Sequence, residues 1–445
     1  MLRKIRIAAA AFFFVLTTLL FLDFTGTLHA WFGWMAKIQF LPALLALNVG
    51  VVAFLVILTL LFGRVYCSVI CPLGVMQDIV SWASGKRRKH RNRFAYSPAL
   101  TWLRRGVLVV FVAAMLAGVG SLLAPYSAYG RIASNLLAPV YAWCNNLLAY
   151  IAGRMDSYAF YSVDVWMKSL STLLVAVVTF AVLFVLAWRS GRTYCNTICP
   201  VGTVLGFLAR YSLFKPRFDT SKCNGCKLCA RNCKASCIDP AAHKIDYSRC
   251  VACMDCLENC RQGAITYTLR RRKPDPAPAP QRPAADAAKT PSDASRRRFL
   301  GLAGIVAYSA LRAQEKKVDG GLAVIVDKKI PNRATPVVPP GAQSLRHFNA
   351  HCTGCQLCVS VCPNQVLRPS GKLMTLMQPE MSFERGYCRP ECTKCAEVCP
   401  TGAIRLTDLA GKSSIQIGHA VWIAENCEVN TDGVSCNNCA RHCPA

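Results

Sequence analysis

The sequence predicts an all-α membrane domain, with four transmembrane helices in two pseudo-repeats, followed by small α+β modules organised around cysteines. Three observations support this fold class. The chain of 445 residues is 53% hydrophobic and 17% charged, with a mean hydropathy of +0.30, and its apolar residues concentrate before residue 190. Most of the 26 cysteines come after residue 190 in regularly spaced groups. One further cysteine motif occurs twice beside the apolar segments.

Four apolar segments, near residues 7–26, 40–62, 106–124 and 169–188, each approach the ~20 residues that a spanning helix requires. The basic residues at the amino end and between the second and third segments are Arg3, Lys4, Arg6, Lys86, Arg87, Arg88, Lys89, Arg91, Arg93, Arg104 and Arg105. Such residues favour cytoplasmic loops, so we expect both regions, and the chain after Trp188, to be cytoplasmic. This flanking explains much of the +29 formal charge, so we expect membrane lipid and no nucleic acid as a partner.

Two cysteine groups within residues 213–270 share the spacing C-x2-C-x2-C-x3-C, which is typical of bacterial two-cluster ferredoxins. In that arrangement the fourth cysteine of each group ligates the other 4Fe–4S cluster. The two predicted ligand sets are Cys223, Cys226, Cys229 with Cys260, and Cys250, Cys253, Cys256 with Cys233. Zinc and disulfides are less favoured, because zinc sites use paired knuckles and because the cytoplasm is reducing.

A second pair of groups lies within residues 314–445. The same exchange rule assigns Cys352, Cys355, Cys358 with Cys399, and Cys388, Cys392, Cys395 with Cys362. A fifth group consists of Cys427, Cys436, Cys439 and Cys443 and has no partner group. Either Cys443 completes a cluster of its own or the natural chain continues. Because paired groups are the rule, we expect a chain truncated at its carboxyl end.

The predicted membrane domain, residues 1–212, contains an internal repeat. Residues 63–74 and 191–202 are identical at eight of twelve positions, and each copy carries a Cys-x3-Cys-Pro motif. Two similar halves would bring both cysteine pairs to the same membrane face, since residues four apart share a helix face. The cysteines concerned are Cys67, Cys71, Cys195 and Cys199. Three interpretations remain open: a metal or cluster site, a redox-active dithiol, and a packing motif.

A Pro- and Ala-rich linker at residues 271–294 precedes a twin-arginine pattern, Arg296-Arg297-Arg298-Phe299-Leu300, within residues 295–313. Such signals normally open a protein. Placed internally after four spans, this one predicts an export signal or anchor that carries the chain beyond about residue 315 across the cytoplasmic membrane. An ordinary basic stretch before a cytoplasmic helix is the alternative. Export of folded modules would allow clusters to be inserted in the reducing cytoplasm beforehand.

Absent motifs narrow the chemistry. The sequence has no Cys-x-x-Cys-His and no histidine in a predicted span, so neither c-type nor bis-histidine haem is expected. It has no dinucleotide or phosphate loop, so NAD and ATP are not expected. A quinol remains as electron source, and Asp23, late in the first span with His29 nearby, is the candidate catalytic residue. Alternatively, water and interfacial Trp31 and Trp34 satisfy these two side chains. Cys144 and Cys237 fit no group.

Residues 1–270, with four spans, the duplicated motif and the first cysteine module, resemble the NapH-type membrane quinol dehydrogenase component of periplasmic nitrate reductase systems, a group related to NosR and CcoG. Residues 295–445 are similar to its exported partner, the NapG-type polyferredoxin, so the chain resembles a natural fusion of both. Cys233 and Cys260 depart from the family pattern in lacking a following proline.

This resemblance implies a membrane-bound electron-transfer protein with two cytoplasmic and two or more exported 4Fe–4S clusters. It would oxidise quinol and deliver electrons to an extracytoplasmic reductase or cytochrome, such as nitrate reductase. Two other functions are implied by the same relatives. One is a CcoG-like assembly factor that reduces a metal ion or disulfide during maturation of a respiratory complex, and the other is a NosR-like redox sensor.

Overall fold

The computed structural model describes residues 1–23, 25–86, 93–118, 123–165, 167–269, 335–372, 374–384, 386–405, 407–417, 424, 427–431 and 433–441. The predicted linker, the twin-arginine signal, most of the basic loop between the second and third predicted spans, and Cys443 lie outside these residues.

The amino-terminal half of the chain is helical. Its α-helices are α1 Leu2–Leu22, α2 Thr27–Phe32, α3 Trp34–Lys37, α4 Phe40–Leu45, α5 Val49–Phe62, α6 Val65–Val69, α7 Pro72–Gly85, α8 Thr101–Leu116, α9 Pro125–Ile132, α10 Ala138–Arg154, α11 Leu170–Ser190, α12 Thr193–Thr197 and α13 Pro200–Ala209. A π-helical turn, Ala133–Leu137, joins α9 to α10. Within the described residues, α1 and α11 are the two helices long and apolar enough to cross a membrane.

The second and third predicted spans differ from the helices observed. Residues 40–62 form two helices, because Leu47 adopts a left-handed backbone with φ 52° and the Asn48 side chain caps α5, accepting from Val51 N at 3.2 Å. Helix α8 ends at Leu116, before the predicted end of the third span. The number of membrane crossings therefore stays a prediction, while the helical character of the domain is observed.

Helix α9 enters the interior of this domain. All eight of its residues are buried, and it packs against α7 and α11. Phe21 of α1 contacts Tyr126, with ring centroids 5.5 Å apart, and Phe14 contacts Tyr129 at 5.6 Å. Pro125 starts the helix at a position where a missing N–H costs nothing. This helix has no counterpart among the predicted spans, because its eight residues include Ser127 and Arg131 and are too few to cross a membrane.

The first cysteine module follows α13. Its elements are β1 Phe214–Phe218, α14 Leu228–Arg231, β2 Ile238–Asp239, β3 Lys244–Ile245, α15 Asp255–Asn259 and β4 Ile265–Leu269. Strand β1 pairs antiparallel with β4, placing Phe214 opposite Leu269, and β2 pairs with β3. The first and last strands thus close the module around its two cysteine loops.

The second cysteine module contains α16 Leu345–His351, α17 Leu357–Ser360, β5 Leu367–Pro369, β6 Pro379–Met381, α18 Lys394–Glu397 and α19 Leu409–Ser413. Strands β5 and β6 pair antiparallel, with Arg368 opposite Glu380. Two short helices follow, α20 Glu428–Thr431 and α21 Asn438–Arg441.

The first module packs against one end of the helical domain. At the start of α1, Arg3 Nε lies 2.8 Å from Asp255 Oδ1. Near the start of α8, Arg104 donates to Ser248 Oγ at 3.1 Å. After the end of α11, the backbone N of Arg192 donates to Lys234 O at 2.8 Å.

The second module packs against the opposite ends of the same helices. Beyond the end of α1, Lys394 Nζ donates to Thr25 O at 3.2 Å. Gly118, after α8, backs onto Asn349, and Ser171, at the start of α11, faces Gly371. Helix α1 has 21 residues, which span about 31 Å at the rise of an α-helix. The two cysteine modules are therefore separated by the length of a membrane-spanning helix.

Candidate metal centres

The structure brings together the four cysteines of each predicted set in the first module. Burial raises the pKa of Cys229, and the nearby thiols of Cys223, Cys226 and Cys260 raise this pKa further. Burial likewise raises the pKa of Cys256, whose neighbours are Cys253, Cys250 and Cys233. Each set therefore supplies the four cysteine ligands that a 4Fe–4S cluster needs. Binding the cluster would remove the protons that burial otherwise keeps on these thiols.

The loop conformation that gathers these cysteines recurs. The residue directly after the second cysteine of a group has a left-handed backbone in three groups, namely Lys227 with φ 59°, Met254 with φ 62° and Gln356 with φ 66°. Such conformations are uncommon for residues other than glycine and persist where the surrounding structure requires them. Here they turn the chain so that the third cysteine enters a short helix facing the first two.

A pocket lies inside the first module. Its lining includes Cys233, Cys250, Cys253 and Cys256, together with Cys237. The Sγ atoms of Cys233 and Cys237 are 3.6 Å apart. Cys237, which belongs to no sequence group, thus lies beside two predicted ligands, Cys233 and Cys250.

The second module has the same organisation. Cys358 lies beside Cys355, Cys352 and Cys399, and burial raises its pKa. Burial also raises the pKa of Cys395 to about 12, and its thiol neighbours are Cys388, Cys362 and Cys392. A pocket is lined by Cys352, Cys355, Cys358 and Cys399. Both predicted exchange sets are thus brought together here as well.

The fifth group is only partly described. Cys427 is half-buried, and Cys436 and Cys439 are exposed. Cys443 lies outside the described residues. The exposed Cys144, on the surface of α10, is far in sequence from every group and lies in none of the cavities described above.

The duplicated motif forms a separate, fully buried cysteine cluster, called here the repeat site, consisting of Cys67, Cys71, Cys195 and Cys199. Cys199 lies within electrostatic range of the other three thiols. In the described part of the chain, no three His, Cys, Asp or Glu side chains converge tightly enough for a single metal ion.

Two buried arginines join the repeats by a pseudo-symmetric exchange. Arg64 of the first copy donates to Cys195 O at 3.1 Å, and Arg192 of the second copy donates to Cys67 O at 2.6 Å. A Cβ at Gly74 would lie 2.3 Å from Cys67 O, which explains why the repeat has glycine there. The exchange places two guanidinium cations beside four thiols, where they would offset thiolate charge.

Polar groups continue from the repeat site toward the first module. Gln77 Nε2 lies 3.3 Å from Cys195 Sγ. Asp78 pairs with Arg192 at 2.7 Å and with Lys234 at 3.2 Å, and Lys234 also reaches Asp255 at 3.0 Å. Each buried charge in this series therefore has a partner, as burial of charge requires.

The repeat site lies between the two modules. On one side, Arg64 donates to Ser248 O at 3.2 Å and lies near Cys250 of the first module. On the other side, Tyr194 donates to Leu123 O at 3.1 Å, just before α9.

Helix α9 bridges the remaining distance to the second module. Arg131 lies within electrostatic range of both Tyr194 and Cys355, and Tyr126 lies near Cys355 and Cys399. A Cβ at Gly130 would approach Cys355 O to 2.5 Å, so the helix packs directly on this cysteine loop. The order in space is thus the Cys250 set, the repeat site and the Cys352 set.

Asp23, the candidate quinol residue, organises the turn after α1. Its carboxylate accepts hydrogen bonds from the backbone N atoms of Gly26 and Leu28, both at 2.9 Å, and pairs with His29 Nδ1 at 3.1 Å. His29 Nε2 is buried and has no hydrogen-bond partner within the described structure. His29, rather than Asp23, therefore has a free polar atom to offer a ligand.

Comparison with known proteins identifies the class. Residues 44–90 and 172–221, which contain the repeat site, match a 4Fe-4S binding domain, and residues 351–403 match a 4Fe-4S dicluster domain. With the cysteine sets described above, these matches define a multi-cluster 4Fe–4S electron-transfer protein with ferredoxin-type domains.

Three relatives illustrate the likeness. The chain is 33% identical over 132 residues to the methylamine utilization ferredoxin-type protein MauM of Methylophilus methylotrophus, covering 27% of this chain and 54% of MauM. It is 34% identical over 114 residues to the ferredoxin-type protein NapG of Escherichia coli, covering 24% and 47%. It is 25% identical over 214 residues to an uncharacterized protein of Methanocaldococcus jannaschii, covering 48% and 68%.

The chain spans about half the length of the MauM and NapG relatives that it matches. No solved structure matches it.

Proposed function

We propose that this protein is a membrane-bound quinol dehydrogenase component that passes electrons to an extracytoplasmic reductase, such as a nitrate reductase. The observation that supports it is a series of three cysteine sites, in which the buried repeat site lies between the Cys250 set of the first module and the Cys352 set of the second, at opposite helix ends. The 4Fe–4S clusters that such cysteine sets hold supply one-electron transfer. In this proposal the first module is cytoplasmic and the second extracytoplasmic.

The repeat site is the part of the proposal that connects the two sides. Arg64 and Arg192, both fully buried, hold the two halves together and offset negative charge among the four thiols. Helix α9 fills the space toward the second module and excludes water from it. A redox role for these cysteines is preferred over a packing role because packing alone does not require four thiols beside two buried cations.

Quinol oxidation releases protons as well as electrons, and the turn after α1 offers a proton acceptor. The Asp23 carboxylate holds His29 Nδ1 at 3.1 Å, which leaves Nε2 as the accepting atom of a neutral imidazole. Lys394, which contacts this turn, directly precedes Cys395 of the second module. We therefore assign proton acceptance to His29 and positioning to Asp23.

The test uses the full chain, purified without oxygen, loaded with clusters and placed in lipid nanodiscs. A menaquinol analogue is added, and reduction is followed by EPR and by visible bleaching. We expect reduction in the wild type, and we expect a Cys71→Ser, Cys199→Ser variant to keep the module clusters while electrons no longer pass between modules.

Wild-type protein whose clusters are intact but never reduced by quinol would contradict the proposal. Copper bound stoichiometrically at the repeat site in such a protein would instead support the assembly-factor alternative, in which these thiols reduce a metal ion.

A further inference from the structure

The four ligand sets of the two modules differ in exposure. Cys226, of the Cys223 set, is exposed, whereas Cys352, Cys355 and Cys358 are buried. Gly225, next to Cys226, has a left-handed φ of 71°, and a Cβ there would meet nothing within 4 Å. The Cys223 set therefore reaches solvent.

Cations surround the exposed set. Lys222 precedes Cys223, Lys227 follows Cys226, and Arg261 follows Cys260. Because the four cysteines converge, these three exposed residues flank the same ligand set. We call them the basic rim.

The positive charge of the basic rim is largely uncompensated. Lys222 has one partner, Asp219, at 3.4 Å, in a pair that is open to solvent. No ion pair involves Lys227 or Arg261 among the described residues. The acidic residues near Cys260 are already occupied, since Asp255 and Glu258 both pair with Arg3.

The other set of this module shows the contrast. Lys234, which lies near Cys253, is buried and neutralised by two aspartates at 3.2 and 3.0 Å. The charge of Lys234 is therefore paired within the structure, whereas the residues of the basic rim are exposed around an exposed ligand. Unpaired charge beside an exposed redox site steers oppositely charged proteins to it and favours brief electron-transfer encounters.

We propose that the basic rim docks a small acidic one-electron carrier protein of the ferredoxin or flavodoxin class. One electron passes between the carrier's reduced group and this protein, so the carrier is oxidised by one electron as this protein is reduced by one. No bond is made or broken, and no proton needs to move. The proposal rests on the proposed function only in requiring that this chain carries electrons.

The experiment compares Lys227→Glu, Arg261→Glu with wild-type full-length protein in nanodiscs of neutral lipid. The probe is an acidic plant-type two-iron ferredoxin. The Kd of the complex is measured with both proteins oxidised, so that no electron moves. The bimolecular rate at which reduced ferredoxin reduces this protein is then measured by stopped flow. We expect the double variant to weaken binding at least tenfold at low salt, and the wild-type Kd to rise steeply with salt.

The matched control is Arg389→Glu, which reverses an exposed cation directly after a cluster ligand of the other module. We expect this variant to bind the ferredoxin as the wild type does, and iron content to be equal in all three proteins. The proposal is overturned if both variants weaken ferredoxin binding equally, or if neither weakens it. An unchanged ferredoxin Kd with lost binding to anionic vesicles also overturns it and would assign the basic rim to lipid headgroups.

The two proposals fail separately. If quinol reduces the wild-type protein, but ferredoxin neither binds nor reduces it, only the proposed docking surface is overturned. If ferredoxin reduces the wild-type protein but quinol does not, quinol oxidation is overturned and the docking surface is supported.

Discussion

At the residue scale, the repeat site shows how glycines make room for two buried arginines, each of which reaches from one repeat into the other. Gly74 leaves room for Cys67 O and for the guanidinium of Arg192, which would lie 2.3 and 2.8 Å from an added Cβ. Gly202 has the equivalent environment, with Cys195 O at 2.3 Å and Arg64 at 2.8 Å. The glycines of the repeat are therefore required by close packing, since neither has a left-handed backbone.

Gly74→Ala should destabilise the protein by about 1–3 kcal/mol, because the new methyl group overpacks a site that cannot expand. The expected result is a lowered Tm of the purified protein. Gly85→Ala, at the end of the same helix, meets nothing within 4 Å and serves as the control. An equal Tm for the two variants would show that the repeats are not tightly packed.

The proposed role of His29 predicts that quinol oxidation depends on pH. Burial lowers the pKa of His29 below its ordinary value of 6.5, although pairing with Asp23 opposes this. A proton acceptor must be neutral, so the rate should be lost as the pH falls through this lowered pKa and should be constant above it. His29→Gln should remove the dependence and most of the rate.

The measurement is the initial rate of cluster reduction by a menaquinol analogue between pH 5 and 8. Asp23→Asn separates the two roles, since it should keep a pH dependence but shift its midpoint. A pH profile that is the same in the wild type and in His29→Gln would remove His29 from the site.

At the element scale, α9 decides how the second module attaches. The helix is buried along its whole length, and its Gly130 contacts both Phe21 of α1 and the Cys355 loop. Asn135, in the π-helical turn, donates to Gln356 Oε1 at 2.9 Å and reinforces the same contact. The buried α9 and the turn that follows it thus form a link between the helical domain and the second module.

Gly130→Val should separate α9 from the second module, because its side chain would overlap Cys355 O and the Phe21 ring. We expect faster proteolysis of residues 335–417 with the first module still protected. Gly153→Val, in the exposed part of α10 where nothing lies within 4 Å, should leave the digestion pattern unchanged. Identical patterns for both variants would mean that α9 does not hold the module.

At the scale of the whole molecule, the opposite placement of the modules predicts which surfaces each compartment can reach. In intact cells, a membrane-impermeant amine reagent should label the exposed Lys372 of the second module. The exposed Lys227 of the first module should react only after lysis. Peptide mass spectrometry reads both sites, and equal labelling of Lys227 before and after lysis would contradict the proposed sidedness.

Much of the site could be read from the sequence. Three cysteines within a single seven-residue loop, such as Cys250 to Cys256, must lie close together in any fold, and the known exchange of the fourth cysteine supplied the rest of each predicted set. The long apolar segments that form α1 and α11 could also be predicted, because length and hydropathy are properties of one continuous segment.

Other features depended on contacts between distant segments. The meeting of Cys67 with Cys195, the exchange of Arg64 and Arg192, the entry of α9 and the nearness of Cys237 to Cys233 all arise from packing that no local pattern encodes. The sequence by itself determined the cofactor type and the ligand loops, because metal-ligand spacing is local chemistry. Only the tertiary structure decided the order of the sites and their position at opposite helix ends, because these follow from side chains that complement each other across the whole chain.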